Sequence, residues 1–200
     1  SNYFLSIRKS ILFYSLMINE LSIWLQKMNT KILLTYSTTD GQTIAICETI
    51  KSVLIENNLV DLIPISEFQK KELKIYDQVI VGASIRYGKH KQEVYDFIKT
   101  YQNDLKTKKT GFFSVNVVAR KPNKNTPVTN PYMKKFLEIS NWEPDYLAVF
   151  AGKIDYKKYS FIDRHLIRLI MFITKGPTDL KGVFEFTDWQ NVKNFASQFS

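Results

Sequence analysis

Short apolar runs alternate with amphipathic stretches along most of this chain. Lys31–Tyr36 (KILLTY) is almost continuously apolar, as expected of a strand buried on both faces of a sheet. Thr43–Asn57 places Ile44, Ile50, Val53 and Leu54 on one side and predicts a helix. Leu59–Ile65, ended near Pro64, predicts a second strand; Asp77–Gly82 (DQVIVG) predicts a third, and Gln92–Tyr101 a helix. Thr110–Val118 (TGFFSVNVV) and Tyr146–Gly152 (YLAVFAG) predict a fourth and a fifth strand, with a helix over Pro131–Ile139 between them. Asp188–Phe199 predicts the closing helix. Strands alternating with helices need crossover connections, so the expected fold is α/β with a doubly wound parallel sheet. Two segments fit this rhythm poorly: the polar loop Ala119–Asn130, and an insertion over about residues 153–182.

In such sheets ligands bind beyond the carboxyl ends of the strands. Four stretches fall there: Ser37–Thr43, Ala83–His90, Ser114–Arg120 and the chain from Gly152 onward. The first, within YSTTDGQT, offers the hydroxyls of Ser37, Thr38, Thr39 and Thr43, with Gly41 allowing close backbone approach. At a helix start, free N–H groups and the helix dipole favour a phosphate there. The plainer alternative is that Thr39 or Asp40 merely caps the helix. A Gly-Lys-Ser/Thr ending and a G-x-G-x-x-G run are both missing, which disfavours a nucleoside-triphosphate loop and a dinucleotide fingerprint.

Composition narrows the choices further. The chain of 200 residues carries a formal charge of +9, with a pI near 9.4, so anionic partners are expected. No nucleic-acid module is recognisable in it. A single cysteine, Cys47, rules out an internal disulfide framework. The two histidines, His90 and His165, lie far apart in sequence and argue against a histidine-rich metal site. Residues 1–29 stand apart as a leader. Arg8 and Lys9 precede an apolar stretch that Glu20 interrupts well short of a membrane span. Met28 is the expected natural start, the preceding residues being vector-derived or translated upstream sequence; an interfacial helix is the competing reading.

The segment Leu33–Thr43 (LLTYSTTDGQT) resembles the FMN-phosphate loop of flavodoxins, apart from Thr35 in the strand and Cys47 where a small alanine is usual. The resemblance implies a five-stranded sheet in the order 2-1-3-4-5. It also implies an FMN site built from Ser37, Thr38, Thr39, Asp40, Gly41, Gln42 and Thr43 around the phosphate. Ser84, Ile85, Arg86, Tyr87 and Gly88 would flank the flavin ring, with Tyr87 stacked on it, and Ser114, Val115 and Asn116 would lie on its other side.

Seven further motifs are DGQT (40–43), GASIRYG (82–88), SVNVVARKP (114–122), TN-Y-KKFL (129–137), W-PD (142–145), D-IRLIM (163–171) and TDW (187–189). Together they resemble a narrower group, the flavodoxin-like, quinone-dependent protoporphyrinogen IX dehydrogenases, over residues 30–200. That resemblance implies oxidation of protoporphyrinogen IX by removal of six electrons and six protons. The electrons would pass through FMN to menaquinone or ubiquinone, in a cytoplasmic protein peripheral to the bacterial inner membrane. Arg86, Arg120 and Lys121 are the expected contacts for the substrate propionates. No catalytic acid or base stands out; His90 alone has a suitable unperturbed pKa near the expected mouth.

The insertion reads YKKYSFIDRHLIRLIMFITK over 156–175. As one helix it would carry Lys157, Lys158, Arg164, His165, Arg168 and Lys175 on a basic stripe beside a broad apolar face. Such a face suits an anionic membrane surface, a tetrapyrrole or a lipid quinone, and a core helix with a solvated basic edge is the plain alternative. Two other functions compete. A flavodoxin-type electron carrier is usually acidic, against the +9 found here. A nicotinamide-dependent quinone reductase would be betrayed by rapid bleaching of its flavin with NADPH.

Overall fold

The computed structural model describes residues 11–22, 30–68 and 72–200, so Met28 and most of the leader lie outside the described residues. Residues 11–22 are helical (α1), with Ile11, Leu12, Phe13, Leu16 and Ile18 all exposed. Five strands form one parallel sheet: β1 Lys31–Ser37, β2 Leu59–Pro64, β3 Gln78–Ser84, β4 Lys109–Val115 and β5 Tyr146–Phe150. Their order is β2-β1-β3-β4-β5, as expected. Helices α2 (Gln42–Leu54), α3 (Ile65–Phe68), α4 (Gln92–Leu105), α5 (Pro131–Ser140), α6 (Phe161–Ile173) and α7 (Trp189–Ala196) complete the regular structure.

Side-chain alternation along each strand splits the core between the two faces of the sheet. Ile32, Leu34, Ile80, Phe113 and Phe150 face α2 and α7, whereas Leu33, Val79, Val81 and Phe112 face α4 and α5. On the second face, Phe112 stacks on Phe136 with ring centroids 3.8 Å apart, and Trp142 meets both edge-on. Caps fix where the helices begin. Asn130 accepts from the N–H groups of Tyr132 and Met133 ahead of α5, and Asp188 accepts from Asn191 N–H ahead of α7.

Most boundaries shift by a few residues from expectation, and two departures shape the site. β4 stops at Val115, because Asn116 leaves the sheet and caps a 3₁₀ turn over Val117–Arg120. The insertion is not one helix over 156–175. It opens with β6 (Lys153–Asp155), passes through a 3₁₀ turn over Tyr156–Lys158 and only then enters α6; β7 (Val183–Glu185) returns antiparallel to β6. Lys157 and Lys158 are therefore off the helix, and the single basic stripe is broken. Ile154, Tyr156, Tyr159 and Met171 give this subdomain a small core of its own. Among the described residues, no helix is long and apolar enough to cross a membrane.

Candidate functional site

The sheet order makes β1 and β3 neighbours whose following loops diverge, leaving a crevice at their carboxyl ends. In the loop after β1, Gly41 takes φ 89° and caps α2 without any side-chain hydrogen bond, so neither Thr39 nor Asp40 is the cap. An uncapped first turn leaves backbone N–H groups without intrahelical acceptors, and it contains no acidic residue. The buried Thr43 hydroxyl at this turn has no hydrogen-bond partner. Lys91 Nζ donates to the Thr38 carbonyl at 2.7 Å and brings a cation to the loop. Gln42 instead reaches the chain just before α7, donating to Thr187 Oγ1 at 2.9 Å. Ser37 donates to Glu93 and is turned away from the crevice.

The loop after β3 is a tight hairpin. Arg86 and Lys89 each donate their N–H to the other's carbonyl, at 3.0 and 3.2 Å, around Tyr87 (φ 51°) and Gly88 (φ 77°). Two consecutive positive φ values define this turn, and the second falls on glycine, where it costs little. Ser84, at the end of β3, keeps a buried hydroxyl without a partner. Arg86 is not a free cation. Its guanidinium bridges Asp40 at 3.1 Å and Asp163 of α6 at 2.8 Å, and Tyr87 Oη donates to Asp163 at 2.8 Å. Hydrogen bonds from Tyr87, then Ser160 and Arg86, hold the Asp163 carboxyl below its ordinary pKa.

Near the end of β4, Ser114 lies behind the wall of the crevice rather than in it. It shares a 3.0 Å hydrogen bond with His90 Nε2 and accepts from Asn116 Nδ2 at 3.3 Å. Asn116 Oδ1 receives Ala119 N–H and Asn130 Nδ2, which ties this loop to the start of α5. His90 is 3% exposed, packed against the edges of Phe112 and Phe136, and burial lowers its pKa to about 4. It is a neutral structural imidazole at physiological pH. Cys47 is fully buried and burial raises its thiol pKa, which removes it from reactive chemistry.

The second sequence-predicted cation is also engaged. Arg120 donates through Nη2 to the carbonyl and the hydroxyl of Thr174 at the carboxyl end of α6, and through Nη1 to Val117 O. Burial lowers its pKa from the ordinary arginine value. Both ends of α6 are thus held by arginines, and the helix roofs a cleft of about 340 Å³ with Leu166, Ile167, Ile170 and Met171 turned into it. Of the sequence-predicted residues, Thr38, Asp40, Gln42, Thr43, Ser84, Ile85, Arg86, Tyr87, Gly88, Val115, Asn116, Arg120 and Lys121 line this cleft; Ser37, Thr39, Gly41 and Ser114 do not. Sequence reasoning missed Asp163, Tyr159 and Val117. A signal for Asp163 existed: in Ser-x-x-Asp the Ser160 hydroxyl caps the helix by accepting from the Asp163 N–H and also donates to the Asp163 carboxylate.

The arrangement suits a phosphate monoester at the start of α2, where an uncapped turn and the orphaned Thr43 hydroxyl wait, and a flat, largely apolar group under α6. Such a site on a doubly wound sheet defines a flavodoxin-type protein, and the flavodoxin-domain family model matches residues 33–181. Within that class, the chain belongs to the family of the quinone-dependent protoporphyrinogen IX dehydrogenases. It is 42% identical to the protoporphyrinogen IX dehydrogenase [quinone] of Leishmania major, over 85% of this chain and 74% of that one. It is 41% identical to the enzyme of the same name from Escherichia coli K12, over 85% and 94%. Among solved structures, a flavodoxin from Archaea superposes with a TM-score of 0.47 at 16% identity, covering 84% of this chain and 95% of that one.

The buried histidine makes a pH prediction. The unfolded chain protonates His90 near pH 6.5 and the folded one only near 4, so the unfolded state holds more protons in between and stability falls as pH drops through that window. By pH 5 the loss relative to pH 8 should be about 2 kcal/mol from this residue. Urea titrations at both pH values should show that His90→Gln lacks this increment. An unchanged increment in the variant would place the pH dependence elsewhere.

Proposed function

We propose that this chain binds FMN in the cleft under α6 and oxidises protoporphyrinogen IX to protoporphyrin IX, with menaquinone or ubiquinone as acceptor. The observation carrying this reading is that one cleft joins the phosphate-loop end of the sheet to the apolar inner face of the insertion. The balance is three two-electron steps: six electrons and six protons leave the porphyrinogen and reduce three quinones to quinols. FMN supplies the two-electron redox chemistry when bound.

The protein's share is placement. The first turn of α2 and the Thr43 hydroxyl hold the phosphate, with Lys91 nearby. The Ile85–Gly88 hairpin, Val115 and Asn116 border the ring, and Ser84 Oγ offers it a hydrogen bond. Leu166, Ile167, Ile170 and Met171 exclude water and pack an apolar macrocycle. Lys121, which lines the cleft, would meet an acidic side arm of the substrate, whereas Arg120 is engaged with Thr174. His90 takes no proton from the substrate, because it is buried behind the cleft wall.

The outer face of α6 fits a lipid-derived acceptor. Phe161, Ile162, Phe172 and Ile173 are 69–78% exposed, while Arg168 and Lys175 lie alongside on the same segment. Apolar residues beside cations suit attachment to an anionic membrane surface, where a quinone dissolves.

Three experiments test these claims. FMN-loaded protein should oxidise protoporphyrinogen IX with menadione faster than the spontaneous reaction, and Thr43→Val should bind FMN roughly 10- to 100-fold more weakly through loss of a hydrogen bond to a charged group. Turnover no faster than the blank removes the assignment, and unchanged FMN affinity removes Thr43 from the phosphate site. Separately, the protein should sediment with phosphatidylglycerol-containing vesicles and not with neutral ones, less so as salt rises. Absence of sedimentation at low salt would falsify the membrane attachment.

A further inference from the structure

We propose that Arg86 and Tyr87 form a seat for a carboxylate of the substrate, and that Asp163 of α6 fills that seat when substrate is absent. The inference rests on the porphyrinogen reading above and deepens it. Asp163 is received as a free carboxylate would be: Arg86 Nη2 donates to Oδ2 at 2.8 Å and Tyr87 Oη donates to Oδ1 at 2.8 Å. Two donors on two oxygens fix both the position and the orientation of the group. The donors come from one hairpin whose turn residues, Tyr87 and Gly88, both sit at positive φ. A non-glycine residue in that region is held at a cost. Here the cost places the Tyr87 hydroxyl beside the guanidinium.

Asp163 can leave the seat without undoing its own helix. Its N–H stays bound to Ser160 Oγ at 3.2 Å, which is a local cap independent of Arg86. The far end of α6 stays fixed through Arg120 on Thr174 and through buried Met171. The first turn is also tied down by Arg164, which donates to the carbonyls of Tyr156 and Tyr159, so release of Asp163 leaves the roof in place. Asp40, the other carboxylate on Arg86, sits on the opposite side at 3.1 Å with no contact to Tyr87, so it does not compete for the seat.

The seat also lies where a side arm would reach. Leu166 and Ile167 turn into the cleft about one helical turn beyond Asp163, so a macrocycle packed against them presents its acidic substituents to Arg86. The two donors of the seat, Arg86 Nη2 and Tyr87 Oη, are already taken by Asp163. An entering carboxylate has to displace Asp163, and its apparent affinity is lowered by the fraction of protein in which the seat is already taken. A ligand without a carboxylate cannot make the exchange. Asp163 is in this account a specificity-determining residue that never touches the reacting atoms.

The test uses FMN-loaded protein titrated with mesoporphyrin IX, which bears two propionates and is already oxidised, and in parallel with its dimethyl ester, followed by porphyrin fluorescence. Asp163→Asn and Asp163→Ala should each bind the diacid about tenfold more tightly than the unsubstituted protein, as expected when one charged competitor is removed. Affinity for the ester should stay the same in both. Arg86→Gln should abolish the preference for diacid over ester. Equal diacid affinity with and without Asp163, or an equal gain for the ester, overturns the seat while leaving the porphyrin reading intact. If neither porphyrin binds any of these proteins, the seat and the porphyrin reading fall together.

Discussion

A single guanidinium organises the site. Arg86, from the loop after β3, holds Asp40 of the loop after β1 on one side and Asp163 of the insertion on the other. Three segments separated widely in sequence are drawn to one point at the carboxyl edge of the sheet. Arg86 and Asp163 are partly shielded, with side-chain exposures of 20% and 16%, and Asp40 is more open at 37%. Such charge-assisted contacts are worth more than the near-zero return of a solvated surface pair. Arg120 does the matching work at the other end of α6 by satisfying the last-turn carbonyl of Thr174. The two clamps add to the packing of Met171 in the insertion's own core, and together these contacts hold α6 over the sheet edge. The cleft exists because the insertion is pinned.

Pinning divides α6 into two working faces. Leu166, Ile167, Ile170 and Met171 turn inward, and Phe161, Ile162, Phe172 and Ile173 remain in solvent. A soluble electron carrier needs its flavin edge exposed to partners, whereas a roofed apolar cleft serves a bulky, water-avoiding substrate. The outward face then has the same chemical character as the compartment from which a lipid quinone arrives.

The sheet was legible in the sequence because burial on both faces turns each strand into a run such as KILLTY or DQVIVG, which few other elements produce. The place of the loop after β1 at the cleft was legible because its residues are contiguous, and Thr38, Asp40, Gln42 and Thr43 line the cleft. What escaped is everything that depends on partners distant in sequence. Arg86 and Arg120 read as free cations, since composition shows a charge but never what neutralises it; each instead has partners at one end of α6. Ser114 read as a flavin contact, yet it is paired with His90 behind the wall. The insertion read as one helix because apolar and basic residues recur at helical spacing across 156–175, and only the Ser160 cap marks the true start after a 3₁₀ turn. Local chemistry was readable, and closure of the site was not.

The claim on which the account depends is that a tetrapyrrole and a flavin meet in the cleft under α6. Anaerobic mixing of FMN-loaded protein with protoporphyrinogen IX, watched at the flavin's visible absorbance with no quinone present, tests it most directly. The account predicts rapid bleaching by protoporphyrinogen, restored on adding menadione, and no comparable bleaching by NADPH. Bleaching by NADPH alone, or none with protoporphyrinogen, would contradict it.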